Sequence, residues 1–338
     1  MLFENKKILI TGGTGSLGQS LTKKLLEKGA SSIRIFSRNE SNQIRMESEL
    51  NDKRLRFLIG DIRDMSRLER AMNGVDIVFH AAALKHVPVI EYNPFEAIKT
   101  NIIGSQNVID AALTQNIETV ICIGTDKAVS PVNTYGATKL LMEKLFVTAM
   151  NYFNPNKHRT KFIALRYGNV LGSSGSVVPK FIEQIIAKKK ITITDPNMTR
   201  YSLTMNEALD FIIDASQIAK GSEVFIPKLL KAYSIIDLKK ALEELLNPTE
   251  EEIISVRLGE KMHEALLNPD EMKYTWEIGD KFVVFNGRRD EEKIKKDYPG
   301  IKKININDAV SSDLAEKMSV DEIKDKIIES GILDHYKK

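Results

Sequence analysis

The chain has 338 residues, 42% of them hydrophobic and 28% charged, the balance of a soluble globular protein with a sizeable core. Its formal net charge of +3 is too small to argue for nucleic acid or a membrane surface as a partner. One cysteine, Cys122, excludes an intrachain disulfide framework; no run approaches a membrane span and no signal peptide opens the chain, so a reducing, cytoplasmic setting is expected.

The first element is a short buried strand, Lys7–Thr11, that runs into Gly12-Gly13-Thr14-Gly15-Ser16-Leu17-Gly18. A helix follows with Leu21, Leu25 and Leu26 on its apolar side and ends at Gly29. Strand, glycine-rich turn and helix form the context of a dinucleotide site, in which glycines bring the backbone close to a pyrophosphate held at the helix N-terminus. The second strand, Ser32–Phe36, leads to Ser37-Arg38-Asn39. A hydroxyl and a guanidinium suit a 2′-phosphate, so NADP is the expected cofactor, with Glu40 as the counter-argument.

Arg56–Ile59 is the third strand, and Asp61-Ile62 after it fall where such folds meet adenine. Asp64 is expected to cap the next helix. The fourth strand, Asp76–Phe79, is followed by Ala81, Ala82 and Ala83, small enough to let a flat ligand lie close. Strands alternating with helices predict an α/β fold with a doubly wound parallel sheet, whose ligands gather at the C-terminal strand ends.

The fifth strand, Val120–Ile123, exits into Thr125, Asp126 and Lys127, and a helix begins at Thr134. Tyr135 and Lys139 lie four apart and share a helical face. An ammonium beside a phenol favours the phenolate, which makes Tyr135 a usable base. Lys161–Leu165 reads as the sixth strand. Beyond it, Gly172–Ser176 suits a loop over a nucleotide, and Arg200 suits a pyrophosphate because a guanidinium pairs phosphate bidentately. Helices are expected at Val177–Ala187, Met205–Ala219, Ile235–Leu246 and Val320–Ile328, with a strand at Ile191–Thr194. Trp276 and the charge run Glu291–Asp297 read as structural or solvated, and no His/Cys cluster has metal-ligand spacing. Residues 1–168 with 204–226 are assigned to the dinucleotide domain, and 169–203 with 227–338 to an interleaved substrate domain.

With TGGTGSLG at 11–18 and Tyr-x-x-x-Lys at 135–139, the chain resembles the extended short-chain dehydrogenase/reductases, whose fold is a Rossmann-like sheet. AAALKHVPVIEYNP (81–94), TDKAVSPVNTYGATK (125–139), RYGNVLGSSGSVVPKF (166–181), ITDPNMTR (193–200) and RLGEKMHE (257–264) resemble the soluble UDP-N-acetylglucosamine 4,6-dehydratases that invert C5. Related dehydratases carry Asp-Glu at Asp126-Lys127, and membrane-anchored relatives that retain C5 often carry Met at Tyr135; Leu258 departs from a Pro common in the relatives. The resemblance implies that Tyr135, assisted by Lys139, deprotonates the sugar 4-hydroxyl while Thr125 bonds its oxygen. Lys127, as free amine, removes the C5 proton, and Asp126 helps the C6 hydroxyl leave. It also implies substrate contacts from Lys85, Asn169, Arg200, Arg257 and Glu260, a cofactor-facing Asn101, and a homo-oligomer, dimer or hexamer. His86 has no implied chemistry. A UDP-sugar 4-epimerase and a non-catalytic NADP-binding sensor are the competing readings.

Overall fold

A computed structural model describes residues 2–153, 157–173, 175–256, 259–285, 289–304 and 309–336. Six parallel strands follow the expected alternation: β1 (Lys7–Thr11), β2 (Ser32–Ser37), β3 (Leu55–Ile59), β4 (Ile77–His80), β5 (Thr119–Ile123) and β6 (Lys161–Leu165). Their order is β3-β2-β1-β4-β5-β6, so the chain reverses direction across the sheet between β1 and β4, and a crevice opens there. The middle strands read as continuous apolar runs because helices cover both faces, and every residue of β4 and β5 is buried. One core cluster lies on each face of the sheet, anchored by Ile8, Ile10 and Phe79 on one side and by Leu9, Val78 and Phe146 on the other.

The sheet does not stop at β6. Glu223–Pro227 adds a parallel strand beside it, and Lys281–Phe285, Thr275–Ile278 and Lys302–Lys303 add three antiparallel ones, ten strands in all among the described residues. Thr275–Ile278, Lys281–Phe285 and Lys302–Lys303, all within the span 227–338 assigned to a substrate domain, pair into the large sheet. The physical reason is the edge left by Glu223–Pro227, which the hairpin covers while burying Trp276 and Phe282–Phe285. The run Glu291–Asp297, read as structural or solvated, is a helix capped by Asp290 that buries Ile294.

A smaller layer sits over the C-terminal strand ends. It contains short sheets, none with a strand longer than Thr199–Leu203, and three helices, Val177–Ile186, Ile235–Leu245 and Val320–Glu329. These helices share a third core of Val178, Phe181, Leu238, Leu242, Ile323 and Ile327.

Candidate active site

The glycine turn is built by close packing. Gly12 has φ 68°, and a Cβ there would lie 2.8 Å from the Ala82 amide nitrogen, so the turn and the strand β4 exit touch backbone to backbone. The helix Ser16–Glu27 begins at Gly15 without a side-chain cap, which leaves its first amides directed at the crevice for an anion to satisfy. Beside it, Ser37 is buried and its hydroxyl accepts from Gln43 Nε2 at 3.0 Å. Arg38 extends from the β2 end with its side chain 55% exposed, 3.9 Å from Asp61. Asp61 is held closer by Arg63 at 2.7 Å; burial opposes its charge, but the Arg63 bonds keep its carboxyl below the usual range.

At the end of β5 the chain turns through Thr125 into a single 3₁₀ turn, Asp126–Ala128, capped by the Thr125 hydroxyl. Thr125 Oγ1 donates to Asp126 Oδ1 at 2.8 Å. Lys127 Nζ donates to the same carboxylate at 3.1 Å and to Asn169 Oδ1 at 2.8 Å, and lies 3.5 Å from Glu264 Oε1. The Tyr135 helix, Thr134–Thr148, is seated against this turn by Gly136, where a Cβ would fall 2.4 Å from the Lys127 carbonyl. Its N-terminus is capped by Asn133, whose side chain accepts from Gly136 at 2.7 Å and donates to the Gly259 carbonyl at 2.7 Å. Glu91 accepts from the Thr134 amide at 2.6 Å and so helps seat this helix. A buried Arg166 then ties the helix to the far segment: its guanidinium bonds Glu143 at 2.6 Å and Glu271 at 2.8 Å.

One cavity of about 810 Å³ joins these parts. Apart from Asn101, the described cofactor-binding positions named from the sequence border it, from Gly12 through Ile62 and Ala82 to Lys139. So do Thr125, Lys127, Tyr135, Lys85, Asn169, Arg200 and Glu260. Arg257 and Leu258 lie outside the described residues. His86, given no chemistry, borders the cavity against Gly175, whose Cβ would meet its ring at 2.5 Å.

Four expectations need correction. Asp126 is fully buried beneath Thr125 and Lys127 and is not part of the cavity wall, so it reaches a ligand only through those neighbours. Lys139 Nζ is drawn onto the Ile123 carbonyl at 2.7 Å, and the cation that acts on the Tyr135 phenol is Lys127. Burial dominates there and pushes the phenol up to about 12. Lys127 itself was expected to be a depressed, neutral amine. Burial does pull it down, but Asp126 and Glu264 together overrule that and hold it as an ammonium. Asn101 does not face the cofactor: it is buried within a π-helical turn, Ile98–Ile103, and clamps the Leu84 backbone and Thr138 Oγ1.

Among the cavity residues that escaped the sequence reading are Glu264 and Lys261. Both belong to the stretch RLGEKMHE, whose dense charge was the available signal. Arg200, expected at a pyrophosphate, donates to the carbonyls of Thr199, Lys261 and Met262, and so also fixes this segment.

A doubly wound sheet with a glycine turn at the β1 exit and Tyr135 and Lys139 on one helix defines an extended short-chain dehydrogenase/reductase of the sugar-nucleotide dehydratase and epimerase kind. The chain belongs to the family described as polysaccharide biosynthesis protein, whose model matches residues 8–286. It is 47% identical over 286 residues to a UDP-N-acetylglucosamine 4,6-dehydratase (inverting) of Campylobacter jejuni subsp. jejuni (strain 81-176), covering 84% of each chain. It is 39% identical over 334 residues to a UDP-glucose 4-epimerase of Rickettsia bellii (strain RML369-C), covering 97% of this chain and 96% of that one. The X-ray structure of Pen from Bacillus thuringiensis superposes with a TM-score of 0.89 at 39% identity, over 98% of this chain and 99% of that one.

Proposed function

We propose that this chain is a C5-inverting UDP-N-acetylglucosamine 4,6-dehydratase that uses NADP. The observation that carries the reading is that Lys127 and Tyr135 open onto the same cavity as the glycine turn, so an amine and a phenol can act on neighbouring carbons of one hexose beside one dinucleotide. The residues present fit that dinucleotide: the Gly12–Ala82 contact leaves backbone as the cavity wall, and the uncapped helix amides at Gly15–Gly18 suit a pyrophosphate. When bound, the cofactor accepts hydride from C4 and returns it to C6. Arg38 supports the phosphorylated form, because its partly exposed guanidinium lies at the end of β2 where a 2′-phosphate would be paired.

The chain's own groups do the rest. Tyr135 exchanges the proton of the 4-hydroxyl, with Thr125 beside it. A 4-ketone acidifies the C5 hydrogen; Lys127 removes it after passing its own extra proton to a neighbouring carboxylate, Asp126 at 3.1 Å or Glu264 at 3.5 Å, and a proton returns to C5 on the opposite face. Asp126 orients Lys127 and sets its charge from behind. Lys85, Asn169, Arg200, Arg257 and Glu260 receive the nucleoside diphosphate. The exposed apolar side chains Val89, Tyr92, Phe95 and Ile103 support a homo-oligomer, to be measured by sedimentation. No helix of the described residues is long and apolar enough to cross a membrane.

A UDP-sugar 4-epimerase is the second reading, favoured by the nearly full-length match to the Rickettsia bellii epimerase. Incubation with UDP-N-acetylglucosamine in heavy water, read by NMR, separates them. A 4-keto-6-deoxy product with inverted, deuterated C5 is expected. A C4 epimer without exchange would establish the epimerase instead. Lys127→Ala should bind both ligands yet lose C5 exchange by about 10²–10⁴-fold; unchanged exchange removes its assignment as base.

A further inference from the structure

Lys261 and Glu264 both border the cavity and face each other without bonding. Lys261 Nζ lies 3.9 Å from Glu264 Oε2, beyond hydrogen-bond reach. Among the described residues, Lys261 Nζ has one acceptor, the Val129 carbonyl at 2.6 Å, so protons of the ammonium are left to spare. Glu264 Oε2 is buried without a hydrogen-bond partner in the protein, and Oε1 lies 3.5 Å from Lys127 Nζ. The side chains are only 13% and 4% exposed. A desolvated ammonium and carboxylate with bonds unmade are costly until a ligand completes them. The gap between them is held open by the backbone. Arg200 donates to the Lys261 and Met262 carbonyls, each at 2.9 Å. Ser312 Oγ accepts from the Glu264 amide at 2.9 Å, and the Ser312 amide donates to the Glu264 carbonyl at 2.7 Å.

We infer that Lys261 and Glu264 together seat the sugar 3-hydroxyl, which accepts from the ammonium and donates to the carboxylate. This rests on the dehydratase reading above. The spacing favours a hydroxyl. Two hydrogen bonds of about 2.8 Å that meet at one oxygen span about 4–4.5 Å between their outer atoms, close to the 3.9 Å observed. The acetamido group does not match, because a trans amide turns its N–H and C=O to opposite sides and cannot serve both neighbours at once. The free hydroxyls of UDP-N-acetylglucosamine are those on C3, C4 and C6. Tyr135 and Thr125 take the one on C4, and the one on C6 is lost as water, which leaves C3. That carbon is vicinal to C4, and Glu264 sits correspondingly close to the reacting groups: its charge acts on both the Tyr135 phenol and the Lys127 amine. No covalent bond changes at this seat. It fixes the hexose ring by the side opposite C5, so that C4 stays at the phenol while C5 stays at the amine.

The test pairs a change in the substrate with a change in the protein. With the wild-type protein, the 3-deoxy analogue of UDP-N-acetylglucosamine should show kcat/KM lower by about 100-fold or more, because both charges are then left without a partner. A reduction of less than about threefold overturns the assignment, and this measurement stands even if a variant fails to fold. Lys261 is the residue to change, since Glu264 also sets the charge of Lys127. Lys261→Met should lower kcat/KM for UDP-N-acetylglucosamine by about tenfold or more, yet leave the 3-deoxy analogue within about threefold of its wild-type value. An equal fall for both substrates assigns Lys261 to holding the Val129 carbonyl and overturns the idea. So does a variant whose preference over the 3-deoxy analogue is unchanged while its preference for UDP-N-acetylglucosamine over UDP-glucose collapses, which would place the acetamido group there. Wild-type protein that gives no 6-deoxy product from UDP-N-acetylglucosamine would sink the dehydratase reading itself, an outcome distinct from these.

Discussion

The dinucleotide half and the layer above it differ in how their elements are built. Among the described residues, no side chain before Asp126 leaves a buried polar atom without a hydrogen-bond partner in the protein. His80 shows how thorough this is: its ring is fully buried, yet Nδ1 meets Thr11 at 2.8 Å and Nε2 meets Ser105 at 2.9 Å. From there on, Asp126, His158 and Thr160 within the dinucleotide half, and Ser176, Tyr201, Ser202 and Glu264 beyond β6, each keep one such atom unpartnered. One half is built on long buried strands; the other is a set of short strands and three helices over the strand ends.

The sharpest way to break that contrast is at the joint between them. Arg166→Met strands Glu143 and Glu271 in the interior, and should cost about 3–5 kcal/mol in urea denaturation. A cost under about 1 kcal/mol would show that the two layers are not coupled through this guanidinium. Within the scaffold, Gly12→Ala puts a Cβ against the Ala82 amide at a positive φ. It should weaken binding of the nicotinamide dinucleotide by about 10–100-fold, or ~1–3 kcal/mol, in calorimetry; unaltered affinity would mean the turn is not the cradle.

Scaffold stability should also respond to acid. Burial, reinforced by Lys139, holds the His80 imidazole down to about 3, below its ordinary 6.5. Below pH 6.5 the unfolded chain binds the extra proton, so stability is intact above that pH and falls by about 1.4 kcal/mol per unit on the way down. His80→Gln should flatten this component in melts between pH 6.5 and 5; an unchanged slope would assign it elsewhere. The smallest expected effect is at the exposed rim. Arg38→Ala should reduce the preference for NADP over NAD by about tenfold, ~1.4 kcal/mol, and an unmoved ratio would leave Arg38 as a partner of Asp61 only.

The scaffold was legible because local rules and tertiary structure agree there. β1 and β6 occupy the spans read from apolar runs, and Gly12–Gly18 sits at the turn where the motif requires it. The antiparallel extension was not legible, since Thr275–Ile278 and Lys281–Phe285 carry the same alternation whether they pair with each other alone or close the edge of a larger sheet. The site divides the same way. Tyr135, Lys127 and the glycines come from continuous stretches whose spacing states their relation. Glu264 is 137 positions from Lys127 in the chain (264 minus 127), and only folding brings the two to 3.5 Å.

The sequence alone thus determined a doubly wound sheet, a dinucleotide turn and the residues at the β5 exit, because period, turn chemistry and helical spacing act over a few residues. Only the tertiary structure decided which charges face which: Asp126 buried behind Lys127, Lys139 on a carbonyl, Glu264 on the cavity wall. Protonation depends on distance and burial, and neither is written in the order of the residues.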